Sequence, residues 1–193
     1  MRKMLAVLVL ATLPMSSIAA PESYTIDPLH TFSNFTIDHL GFSTMHGRFG
    51  KITGKLTIDR EKGTGTVEVV IDATSVNTGY EKRDDHIRSP DFLNVMEFPT
   101  ITYKSTKVVI NANKSAVVDG NLTLAGVNKP VRLTVKRMNC AINPMDPTQK
   151  QFVCGFDAET KIKRSDFGVK FALPLVGDDM PISFEVEALR DTK

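Results

Sequence analysis

The chain has 193 residues, with 24 Lys and Arg against 22 Asp and Glu, two cysteines and no tryptophan. Two of the basic residues fall in an N-terminal leader described below, so the rest carries 22 − 22 = 0 net charge. That balance argues against nucleic acid as a partner, because neutralising phosphates needs a basic surface. About 170 residues remain, enough for one domain with its own core, and no second apolar run is long enough to span a membrane as a helix.

Arg2 and Lys3 form a basic n-region, and Met4 to Leu13 is a short apolar run. Ser16, Ser17, Ala19 and Ala20 supply the small residues of a cleavage site. Residues 1–19 read as a signal peptide, cut after Ala19 or Ala20, leaving a single domain over 20–193.

Period-two alternation then recurs to the end of the chain. Ile52, Leu56 and Ile58 share a face with Gly54, while Lys51, Thr53, Lys55, Thr57 and Asp59 take the other. Val67, Val69 and Ile71 point one way, as do Ile182, Phe184, Val186 and Ala188. This is the pattern of strands with one dry and one wet face. Turn-forming residues separate the runs at Lys62 to Gly65, Asn111 to Lys114 and Gly126 to Pro130. The strands fall near 24–27, 31–39, 48–59, 65–73, 100–110, 115–125, 130–139, 151–163 and 181–190. About eight antiparallel strands with a single dry face close into a barrel, which also removes sticky edges. A β-sandwich is the competing all-β answer.

One helix interrupts the strands. Glu81 to Ser89 is charged and rich in helix formers, and Pro90 ends it. Ile87, Phe92 and Leu93 give this segment an apolar side. A helix this short is not stable alone, so it docks over one end of the barrel.

Cys140 and Cys154 form an even pair in an exported chain and favour a disulfide over two buried thiols. Opposing them directly aligns Lys136 with Ala158 and turns Lys136 toward the apolar face. A bulge, or a loop leaving the ladder before Cys140, resolves the conflict.

Catalytic patterns are missing. The chain has no Gly-x-Ser-x-Gly elbow, and Gly63–Thr64–Gly65 is a turn and not a phosphate loop. His30, His39, His46 and His86 lack the spacing of a metal-ligand pair, and no metal is expected.

Several blocks together carry a family likeness: YTIDPLHTFSNFTIDHLGFSTMHGRFG (24–50), RDDHIRSPDFL (83–93), FPTITYKST (98–106), GNLTLAGVNKPVRL (120–133) and SDFG (165–168). In this order and spacing the chain resembles the YceI-like family of secreted bacterial proteins, from about Tyr24 to Leu189. The resemblance implies an all-β, lipocalin-like antiparallel barrel of about eight strands with one short helix (about 80–89) near one end. It implies a periplasmic setting and a polyisoprenoid, isoprenoid quinone or similar amphiphile in the interior, with no enzyme activity and no other cofactor. The Cys140–Cys154 pair lies outside the family pattern and is read as a staple on an insertion around Pro144 and Pro147.

With that ligand in view, Phe35, Ile37, Phe42, Phe49, Val69, Ile71, Ile87, Phe92, Leu93, Tyr103, Leu122, Leu124, Phe171 and Phe184 are candidate cavity walls. The plain reading of any one of them is as part of a solid core. Arg83, His86 and Arg88 on the helix are head-group candidates. The competing reading pairs both arginines with Asp84, Asp85 or Asp91 to hold the helix on the rim. Two rival functions are compatible with the same residues. One is a stress or interaction protein, with a homodimer or a membrane redox partner such as a cytochrome b. The weaker one is a metal-dependent enzyme using Asp85, His86 and another histidine.

Overall fold

A computed structural model describes residues 20–192, so the signal peptide expected over 1–19 lies outside the described residues. The strands are β1 (Glu22–Ile26), β2 (Phe32–His39), β3 (Ser43–Phe49), β4 (Ile52–Asp59), β5 (Thr64–Asp72), β6 (Val76–Asn77), β7 (Thr100–Ile110), β8 (Ala116–Leu124), β9 (Val127–Ile142), β10 (Phe152–Lys163) and β11 (Asp179–Arg190). A single α-helix, α1 (Glu81–Arg88), lies between β6 and β7.

Eight strands close into an antiparallel barrel in the order β1-β4-β5-β7-β8-β9-β10-β11, with β11 returning to β1. The other three form a flap. The C-terminal half of β11 pairs with β1 through Arg190, Leu189 and Ala188, and its N-terminal half pairs with β2 from Ile182 to Glu185. β2 then pairs with β3, and β3 with the two residues of β6. β1 and β2 are thus two pieces of one bent strand. The break is a turn at Asp27, whose carboxylate accepts the Leu29 N–H at 2.9 Å and whose carbonyl accepts that of His30. Pro28 has no N–H to continue the ladder there.

The dry face seen in the alternation is the inside of the barrel. Ile52, Leu56, Ile58, Ile71, Val118, Val135 and Ala188 are all buried. The segment read as one strand over 48–59 is two strands, because Gly50 and Lys51 separate β3 from β4.

The base of the barrel is packed shut by Tyr24, Leu56, Ile58, Cys154 and Ala188. Outside this plug, Glu22 accepts hydrogen bonds from Tyr24 (2.8 Å), Arg60 (2.8 Å) and Arg190 (3.0 Å). Cys140 and Cys154 are directly opposed and bridged across β9 and β10. The register conflict at Lys136 is resolved by a bulge: Asp157 faces Arg137, Ala158 faces Val135, and Lys136 is the extra residue. Lys136 turns outward and pairs with Glu159 at 2.7 Å.

At the other end α1 and the segment after it dock over the strands. Ile87, Leu93 and Val95 join Phe49, Ile71, Ile101 and Phe167 in one cluster. The helix is fastened through polar groups. Asp84 is buried and accepts the Thr78 N–H at 2.8 Å. Arg88 donates to the carbonyls of Thr74 and Val76, both at 3.0 Å.

Candidate functional site

The barrel is not filled by its own side chains. A cavity of about 400 Å³ runs between the base plug and α1, within the roughly 300–1,000 Å³ of small-molecule sites. Phe35 and Ile37 of β2, Val67, Val69 and Ile71 of β5, Leu122 and Leu124 of β8, Val131, Leu133 and Val135 of β9, Phe156, Ala158 and Ile162 of β10, and Phe184 and Val186 of β11 border it. Many of these point inward yet are only half buried, Phe35, Leu122, Phe156, Ala158, Phe184 and Val186 among them. In a solid barrel such residues touch their neighbours across the axis; here they face open space.

Two close approaches shape the wall. A Cβ on Gly47 would lie 2.3 Å from Cζ of Phe35, so only glycine lets that ring lie across β3. A Cβ on Gly120 would lie 2.5 Å from Cζ of Tyr103. The Tyr103 hydroxyl reaches the carbonyls of Val118 and Val131, each at 3.0 Å, with one proton to donate between them. Burial keeps this phenol neutral: desolvation, with the nearby negative charge of Asp119, raises its pKa well above the ordinary value.

The only exposed wall residues are His39, His46, His86 and Phe171, and all four lie at the end where α1, the β2–β3 hairpin and the 168–178 loop meet. This is the mouth. His86 stacks edge-on against Phe92 and Phe171, each 5.1 Å away, and its Nε2 lies 2.8 Å from the Asp91 carboxylate. Arg83 also borders the cavity. Its guanidinium donates to the Thr78 hydroxyl at 2.7 Å and to the Thr78 carbonyl at 2.8 Å. No carboxylate borders the cavity, whereas two arginines and three histidines do.

The second of those arginines, Arg164, is absent from the sequence reading. It is 2 % exposed, and it donates to the carbonyls of Gly177 (2.8 Å), Val169 (2.9 Å) and Val176 (2.9 Å). It ties down the loop that brings Val169, Phe171, Ala172 and Val176 to the cavity. Burial lowers its pKa from the ordinary arginine value, and the charge is retained on those three acceptors.

Two expectations need correcting. Phe42 is 87 % exposed and does not border the cavity. It follows the Leu40–Gly41 turn, both residues of which have positive φ, and its N–H donates to the His39 carbonyl. Arg88 does not border the cavity either. Its donors are used by Thr74, Val76 and Asp85, so it holds the helix in place. The remaining proposed wall residues, with Arg83 and His86, all border the cavity.

Asp85 and His86 have separate partners, Arg88 and Asp91, and do not converge on a third ligand. Among the described residues, the one group with metal-ligand spacing is Asp27, His30 and Glu187 on the outside, with ligand atoms within 4.8 Å of one another. Its Asp27–His30 contact belongs to the β1–β2 turn. No helix among the described residues is long and apolar enough to cross a membrane.

Comparison with known proteins agrees with this architecture. The chain matches the YceI-like domain over residues 24–188. It is 37% identical to Protein YceI of Escherichia coli O157:H7 over 194 aligned positions, covering 98% of this chain and 99% of that protein. Crystallised Burkholderia cenocepacia BcnA superposes with a TM-score of 0.72 at 22% identity, over 84% of this chain and 98% of the other. A domain from Saccharophagus degradans, described as polyisoprenoid-binding and implicated in plant cell wall breakdown, superposes with a TM-score of 0.62 at 19% identity, over 88% of this chain and 99% of that one. Matched across nearly all of its described length and sharing the same closed barrel, the chain belongs to the YceI-like domain family.

Proposed function

We propose that this protein is a non-catalytic carrier of a polyisoprenoid or isoprenoid quinone-type amphiphile, working in the periplasm with the lipid tail inside the barrel. One observation carries the reading: inward-facing apolar side chains such as Leu122, Phe156 and Phe184 stay half buried around an open cavity. A prenyl tail has no polar group to satisfy, and its burial gains roughly 25 cal/mol per Å². The polyisoprenoid-binding description of the Saccharophagus degradans domain supports the same ligand class.

The head group sits at the mouth, beside Arg83 and His86. A wall with cations and no carboxylate favours a phosphate or a carbonyl oxygen there. The bound lipid takes the place of a cofactor. Native mass spectrometry with lipid extraction, on protein purified from its own host, tests the proposal. A co-purifying isoprenoid released on denaturation is the expected result; empty protein in every preparation overturns it.

A further inference from the structure

We propose that the tip of the β2–β3 hairpin and the 170–176 loop form a rim that docks on an anionic phospholipid bilayer. The inference rests on the reading of the cavity as a lipid site, since a carrier must exchange its cargo with a membrane. Four large apolar residues are exposed on these two segments: Phe42 (87 %), Leu175 (64 %), Phe171 (45 %) and Leu40 (43 %). The segments are knit together. The Leu40 N–H donates to the Leu175 carbonyl at 2.8 Å, His39 bridges to Val176, and the Gly177 N–H donates to the Asp38 carbonyl at 2.9 Å.

The patch is continuous with the cavity, because Phe171 is both wall and surface. Leu40 has a φ of 60°, where glycine or asparagine suits the backbone better than leucine. The turn alone does not call for an apolar residue there.

Charge identifies the partner. Residues 39–46 and 170–176 include His39, His46 and Lys170 and no carboxylate. The adjoining Asp38 turns one carboxylate oxygen to the Gly41 N–H at 3.0 Å, capping the hairpin turn. Exposed apolar side chains beside a lysine, with no carboxylate on either segment, fit the boundary between acyl chains and anionic head groups.

The experiment is flotation of the mature protein with two kinds of vesicle: phosphatidylcholine alone, and roughly three parts phosphatidylcholine to one part phosphatidylglycerol. Wild-type protein floats with the anionic vesicles. Phe42→Ser combined with Leu175→Ser lowers that partitioning by roughly tenfold or more. Neither residue borders the cavity, so this variant keeps its melting temperature and its bound lipid. Lys170→Glu weakens binding to the anionic vesicles and leaves the neutral ones unchanged.

Wild-type protein that stays unbound, or a double variant that floats like wild type, overturns the rim. A wild-type dimer that the double variant converts to monomer reassigns the patch to self-association and also overturns it. Protein that floats but is empty of lipid leaves the rim standing and removes the cavity reading instead.

Discussion

Ala158→Phe distinguishes a hollow barrel from a packed one by the sign of its effect. Ala158 lies between Val135 on β9 and Phe184 on β11, with its methyl group on the cavity wall. In a filled core the added ring costs about 1–3 kcal/mol through forced rotamers and backbone shifts. Over a cavity of about 400 Å³ it meets free space instead. Burying the ring then gains about 2 kcal/mol, offset by about 0.5–1 kcal/mol of side-chain entropy. The net expectation is a gain of about 1 kcal/mol, so the two cases differ by about 2–4 kcal/mol. Urea unfolding of delipidated protein resolves this, since a slope of roughly 1–3 kcal/mol per molar turns it into a clear midpoint shift. The same variant retains less lipid, because the ring occupies the tail's space. A loss of stability greater than about 1 kcal/mol, with lipid retention unchanged, refutes the reasoning.

Three further outcomes follow from other parts of the molecule. Arg164→Met strands three carbonyls of the 169–177 loop and costs about 3–5 kcal/mol; urea unfolding and protease sensitivity within the loop check it, and a loss below about 1 kcal/mol contradicts the anchoring role. Replacing both Cys140 and Cys154 with alanine opens a loop with a sequence separation of 14 and costs about 3 kcal/mol, with lipid binding preserved, because the bridge is at the closed base. Asp146 takes N–H bonds from Gln151, Thr148 and Lys150, which hold its pKa at about 2 against the ordinary 3.8. A depressed carboxylate pKa stabilises above the unfolded value, so order in the 143–151 loop is full above about pH 4 and fades as pH falls toward 2. A carboxyl NMR titration checks it, and an Asp146 midpoint near 4 would show the cap to be absent.

Much of the barrel was legible because alternation and burial share one cause, an inside and an outside repeating every two residues. The bulge at Lys136 could be anticipated from its single violation of that rule. What alternation does not report is whether opposite walls touch, so the cavity itself needed coordinates. Phe42 lies between the stretches whose alternation reads as strand, 31–39 and 48–59, so the sequence pattern does not place it. Phe42 precedes β3 in the turn that joins it to β2, where strand periodicity no longer decides which way a side chain points. Arg164 was missed for another reason. It stands directly before the SDFG block and its αL glycine, Gly168, yet a single arginine near a turn is ordinarily solvated. Only the fold shows three carbonyls converging on it.

The division of β11 between β1 and β2 has a consequence for how such proteins diversify. Ring closure is settled at one end of that strand, and the shape of the entrance at the other. Insertions or deletions near residues 40–42 would alter which molecules gain admission while leaving the shear of the ring as it was. One scaffold can therefore be retailored for different guests without having to solve its folding problem again.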